Sequence, residues 1–134
     1  MDYRKLLARA EEARKHSYSP YSGFRVGAAV ATAEGKIFTG ANVENATYGA
    51  TICAERTAVV KAVSEGYTDF EAIAVGSDAD EGSFPCGICR QFIAEFGLDI
   101  KVVTGKASGD IRVHTIAELL PFAFTGEELG QVCK

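Results

Sequence analysis

Phe70-Glu71-Ala72-Ile73-Ala74-Val75-Gly76 carries a short continuous apolar run, Ile73-Ala74-Val75, suited to a buried strand. Pro85-Cys86-Gly87-Ile88-Cys89-Arg90 follows and reads as a helix start, with Pro85 in the position where a missing N–H loses no partner. That helix is predicted to end near Gly97, and Ile100 to Thr104 reads as the next strand. Strand, helix and strand in this order favour an α/β layered sheet. In such sheets functional groups gather at strand C-terminal ends, where helices begin.

The rest of the chain extends this frame on both sides. Asp2 to about His16 carries Leu6, Leu7, Ala10 and Ala13 at helical spacing. Ser17 to Gly23 is a loop by composition. Phe24 to Ala33 reads as a strand with Val26, Ala28 and Val30 on one face. Glu34-Gly35 is a turn signal, and Lys36 to about Val43 is the return strand. Thr51 to Glu65 is predicted helical, stopped by Gly66. Ile111 to Thr115 reads as a strand, and Ile116 to Leu120 as a short helix stopped by Pro121. The expected sheet is largely parallel, with the hairpin as its antiparallel edge. No repeat or low-complexity linker interrupts the chain, so residues 1–134 read as a single domain.

A chain of 134 residues buries a real core without needing metal or disulfides to fold. Its 47% apolar and 24% charged content is ordinary for a globular protein. A net charge of -4 argues against a binder of long nucleic acid, which needs a basic surface, and is compatible with a small neutral substrate. The N-terminus enters an amphipathic helix rather than a signal peptide, and no segment reaches the ~20 apolar residues that span a bilayer. The expected compartment is cytoplasmic, where cysteines more often bind metal or catalyse than pair in disulfides. Cys133, near the chain end, has no local partner and reads as incidental; His16 and His114 read as a helix-end cation and a strand residue rather than ligands. Residues 79–83 and those after Glu127 carry no usable signal.

Cys53-Ala54-Glu55-Arg56 and Pro85 to Arg90 carry the chemistry. Cys86 and Cys89, three apart, share one helix face. A Cys-x-x-Cys pair alone is compatible with a redox couple. A third cysteine beside an acid has no use in such a couple, and the alternative for Cys53 is a small buried hydrophobe. Three thiolates, Cys53, Cys86 and Cys89, leave a tetrahedral zinc with one open position, the mark of a catalytic site. Their charge weakens zinc as a Lewis acid, yet bound water must still be acidified from 15.7 toward ~7. Two counterweights are at hand. Both segments lie at helix N-termini, whose dipoles favour thiolate by ~0.3–1 kcal/mol each. Arg56, and after it Arg90, is placed to give a charge-assisted N–H···S contact; a surface ion pair is the alternative for both. Glu55, two residues from a ligand, is the candidate proton shuttle.

These residues resemble the zinc deaminases of nucleobases, in which a glutamate that is not a ligand moves the protons. More narrowly, the chain resembles the cytidine/deoxycytidylate deaminase family, in its short homotetrameric type. The matching stretches are Tyr18 to Ala29, Gly40-Ala41-Asn42-Val43-Glu44-Asn45-Ala46-Thr47-Tyr48, Cys53 to Ala58, Pro85 to Gln91, and Glu118-Leu119-Leu120-Pro121 with Phe124. The Asn-Val-Glu-Asn block is the specific part.

The resemblance implies a three-layer α-β-α sandwich with a five-stranded mixed sheet. It implies hydrolytic deamination of cytidine and deoxycytidine to uridine and deoxyuridine, releasing ammonia through zinc-bound hydroxide and a Glu55 proton shuttle. Asn42 and Glu44 would hold the ribose hydroxyls, Phe24 would stack on the pyrimidine, and the Ala54 backbone would contact the base. A neighbouring subunit of a homotetramer would complete the site, with Phe124 as the incoming aromatic and Tyr48 near the interface. Otherwise Phe122 and Phe124 are tail anchors. Other readings are a deaminase of blasticidin S, free cytosine or a tRNA base, or a zinc-stabilised binding module. The ribose block opposes free cytosine, and the negative charge opposes tRNA. A binding module requires a fourth protein ligand and leaves Glu55 without purpose.

Overall fold

A computed structural model describes the backbone of residues 1–133 and the side chains of residues 1–130. Five strands form one sheet in the order β2-β1-β3-β4-β5. They are β1 (Val26–Thr32), β2 (Ile37–Ala41), β3 (Phe70–Ser77), β4 (Lys101–Gly105) and β5 (Ile111–Thr115). Helix α1 (Tyr3–Ala13) covers one face, and α2 (Ala54–Ser64) and α3 (Gly87–Ala94) cover the other. Short helices α4 (Ile116–Leu119) and α5 (Gly126–Cys133) follow β5. The α/β class and the three layers agree with the sequence reading. Cys133 falls outside the residues whose side chains are described.

The expected parallel character does not hold. Only β3 and β4 pair in parallel; β1 runs antiparallel to both β2 and β3, and β5 antiparallel to β4. The reason lies in the connections. The β2-α2-β3 crossover steps over β1, so the two strands it joins are not neighbours. The five residues between β4 and β5 are too few for a parallel return, which needs a crossover of a dozen or more.

Alanine and glycine let the helices sit close to the sheet. Leu6, Leu7 and Ala10 of α1 pack on Ala29, Ala31, Ala72, Ala74 and Val103, all buried. A Cβ on Gly76 would lie 2.6 Å from the Glu11 backbone nitrogen, so α1 rests on bare backbone there. Gly40 does the same for α2: a Cβ would lie 2.5 Å from the Ala58 nitrogen and 3.0 Å from the Ala54 carbonyl. This contact fixes the first turn of α2, where Glu55 stands.

Both cysteine helices begin later than their sequence predicts. Thr51 and Ile52 are extended, because Ile52 exchanges two backbone hydrogen bonds with Val43. Helix α2 therefore opens at Ala54 with Cys53 as its N-cap. Pro85 precedes α3 rather than starting it, and Cys86 is the N-cap there.

Candidate active site

Helix N-caps are usually Ser, Thr, Asp or Asn, whose side-chain oxygen accepts a free N–H of the first turn. Here both caps are cysteine, and neither sulfur makes a capping bond. The two sulfurs are instead free to face one another, 3.8 Å apart. Cys89 adds a third from the first turn of α3, and all three sulfur atoms lie within 4.8 Å of one another. Zinc with ~2.3 Å bonds to sulfur sets tetrahedral sulfurs ~3.8 Å apart, so this donor set fits zinc.

The electrostatics point the same way. The Cys53 thiol is brought down to about 5, chiefly by a hydrogen bond from Cys89, with Arg56 and Cys86 adding to it. The Cys89 thiol is driven up, first by holding its proton toward Cys53 and then by burial. Three neighbouring thiols thus resist ionising together, and a divalent cation removes that conflict.

Glu55 lies in the first turn of α2 and is 3% exposed. Burial lifts its carboxyl to about 7, and the Cys53 thiolate adds to the rise. Arg56 directs Nη2 to the Cys53 sulfur at 3.7 Å and to the Thr51 carbonyl at 3.4 Å, while its buried Nε has no partner. The hydrogen bonds of Arg90 go elsewhere: Nε to the Pro85 carbonyl and Nη1 to the Leu119 carbonyl, each at 2.8 Å.

A cavity of about 260 Å³ opens over this cluster, lined by Phe24, Asn42, Cys53, Ala54, Glu55 and Cys86 among others. Thr51 is shared with a second groove of about 420 Å³, lined by Tyr21, Ser22, Glu44, Asn45 and Tyr48. Asn42 is oriented by its bonds. Its carbonyl accepts from the Val26 N–H at 3.0 Å and from the Ser17 hydroxyl, and its amide donates to the Phe24 carbonyl at 3.0 Å. One amide hydrogen is left over, so Asn42 offers a ligand a donor.

Glu44 accepts from the backbone N–H groups of Tyr21 and Ser22 at 2.9 and 3.1 Å and from the Ser22 hydroxyl. The Ser22 bonds, hydroxyl first, hold its carboxyl below the usual range, so it stays an acceptor. Tyr48 is exposed and meets Tyr21 edge-on, with ring centres 5.9 Å apart. Phe124 is 55% exposed and does not line the cavity; its carbonyl accepts from Gln91.

Two participants were missed in the sequence. Ser22 accepts the Phe24 N–H and donates to Glu44, coupling two groups of the site. Phe84 lines the cavity beside Cys86. Ser22 sits in a loop whose composition signalled only a loop, while the place of Phe84 directly before Pro85-Cys86 was a usable sign.

The model of the cytidine and deoxycytidylate deaminase zinc-binding region matches residues 1–106. A cytidine deaminase of Halalkalibacterium halodurans is 51% identical over 131 residues, covering 97% of this chain and 99% of its own length. A probable cytidine deaminase of Dictyostelium discoideum is 51% identical over 126 residues, 93% of this chain and 85% of its own. The crystal structure of the Burkholderia pseudomallei cytidine deaminase superposes with a TM-score of 0.87 at 46% identity, covering 92% of this chain and all of that one. With a buried acid and three converging cysteine sulfurs where the family's zinc-binding region matches, this chain belongs to the cytidine and deoxycytidylate deaminase family.

Proposed function

We propose that this chain deaminates cytidine and deoxycytidine hydrolytically, giving uridine and deoxyuridine with release of ammonia. The observation that carries this reading is one cavity whose walls hold zinc-compatible thiolates, a buried carboxyl and the Asn42 amide together. Zinc held by Cys53, Cys86 and Cys89 supplies the Lewis acidity that makes water a nucleophile at neutral pH. Glu55 takes one proton of that water and gives it to ring nitrogen N3, then moves the remaining proton of the added hydroxyl to the amine, so that the C4–N bond breaks, the C4 carbonyl forms and ammonia leaves. Arg56 draws charge from the Cys53 sulfur. Arg90 holds the turn that presents Cys86 and Cys89.

Phe24 stacks on the pyrimidine, and the Ala54 backbone contacts its edge. The base occupies the smaller cavity and the sugar the groove beyond Thr51. Asn42 offers a donor and Glu44 acceptors, the pair that one hydroxyl can satisfy at once. Tyr48 and Phe124, exposed here, serve sites shared between subunits of a homotetramer. The chain acts as one domain over residues 1–134, in cytoplasmic pyrimidine salvage. No described helix is long and apolar enough to cross a membrane.

The test follows ultraviolet absorbance after adding cytidine, cytosine or dCMP. Cytidine is expected to turn over. Turnover of cytosine or dCMP without cytidine would sink the reading.

A further inference from the structure

We infer that Phe84 is a specificity-determining residue: its ring limits the size of the substituent on the exocyclic amine, and Arg112 and His114 hold it in place. This rests on the nucleoside reading above and adds a selectivity to it.

Phe84 stands two residues before the ligand Cys86 and lines the cavity that Cys53, Glu55 and Phe24 also line. Deamination must bring the amine-bearing carbon to the metal, because the water that attacks it is activated there. The departing amine is then next to the chain that carries the metal ligands. Beside Cys53, the cavity is lined by Thr51, Ala54 and Glu55; beside Cys86, it is lined by Ser83 and Phe84, and Phe84 is the only aromatic residue on either ligand segment. Ser83 is occupied, sharing a 2.7 Å hydrogen bond with Ser77. Phe84 therefore supplies the apolar bulk on the side where the amine leaves.

A ring that filters by size must not swing away, and three features fix this one. The residue before a proline is sterically restricted, and Pro85 is itself buried. The Arg112 guanidinium lies 5.3 Å over the Phe84 ring centre, and the His114 ring meets it edge-on at 5.4 Å and 63°. Arg112 also donates to the Glu81 carbonyl at 2.6 Å, tying β5 to the loop that leads to Phe84. Despite these contacts Phe84 remains 39% exposed, and it lines the cavity.

The experiment compares kcat/KM for N4-methylcytidine, 5-methylcytidine and cytidine in the zinc-loaded native protein and in Phe84→Ala, Phe84→Leu and Arg112→Ala. Calorimetry measures the affinity for N4,N4-dimethylcytidine alongside. One methyl against a packed wall changes selectivity on the order of 10-fold. Phe84→Ala is expected to raise the N4-methylcytidine-to-cytidine ratio by ~10-fold and the dimethyl affinity likewise. Phe84→Leu should give a smaller rise and guards against a variant that fails to fold. Arg112→Ala should raise the ratio ~3-fold, a shift that simple destabilisation does not produce. An unchanged ratio in correctly folded Phe84 variants overturns the inference, as does relaxation toward 5-methylcytidine alone. An unchanged ratio in Arg112→Ala removes Arg112 from it. If native protein leaves cytidine untouched, the fault lies with the nucleoside reading.

Discussion

The starts of α2 and α3 look alike in sequence and work differently in space. Each has cysteine at the N-cap, and each has an arginine within one turn of it, Arg56 or Arg90. At α2 the arginine reaches the cap sulfur, a neighbouring carboxyl is buried, and the Cys53 thiol is the acidic one. At α3 the arginine reaches two carbonyls, one before the cap and one at the end of α4. The first start is arranged for charge and proton transfer. The second is arranged to hold two ligands still. Spacing alone does not assign an arginine its partner; the competing acceptors around it do.

Glu55→Gln breaks this contrast most deeply. The amide keeps the shape but cannot carry a proton, so turnover should fall by ~10²–10⁴-fold. Zinc content, read by atomic emission, should stay at the native level. A variant with near-native turnover would remove Glu55 from proton transfer. Arg56→Ala comes next. Partners of metal ligands typically change activity or metal affinity by ~10–100-fold, and a loss in that range is expected with an unchanged fold. Full zinc content with full turnover would show that the 3.7 Å contact is idle.

Arg90→Ala sharpens the other half of the contrast. It strips a cation from the carbonyl end of α4 and from the Pro85 carbonyl. A hydrogen bond from a charged group contributes ~1.5–3 kcal/mol, so denaturant unfolding should show a loss of about 2 kcal/mol. Turnover of the protein that remains folded should fall less than in Arg56→Ala. The reverse order of activity loss would mean that Arg90, and not Arg56, tunes the sulfurs.

Much of this was legible in the chain because local chemistry wrote it. Leu6, Leu7, Ala10 and Ala13 gave α1 its buried face, and three cysteines gave the metal cluster, with Glu55 beside it. What stayed hidden depends on contacts between distant segments. The direction of β1 relative to β3 follows from a crossover that skips a strand. The late start of α2 follows from Ile52 pairing with Val43. The free amide hydrogen of Asn42 is the one left when the Phe24 carbonyl accepts the other, while Ser17 and Val26 donate to its side-chain oxygen. No window of sequence contains these pairings.

The loop before α3 gives the smallest expected effect and tests how far the rigid start extends. Asp78 accepts from the Arg25 backbone N–H at 2.9 Å and from the Arg25 guanidinium at 3.0 and 3.1 Å, with Arg14 3.8 Å away. Hydrogen bonds from Arg25, side chain first, hold its carboxyl below the usual range. A carboxyl depressed in the folded state stabilises that state above its unfolded value near ~3.9 and stops doing so as pH falls through the folded value. Asp78→Asn should therefore lower Tm by ~1–3 °C at neutral pH, a small shift because the pair is partly exposed. The gap between native and variant should close as pH drops below the ordinary carboxylate range. A gap that persists there would assign the effect to the shape of the loop rather than to its charge.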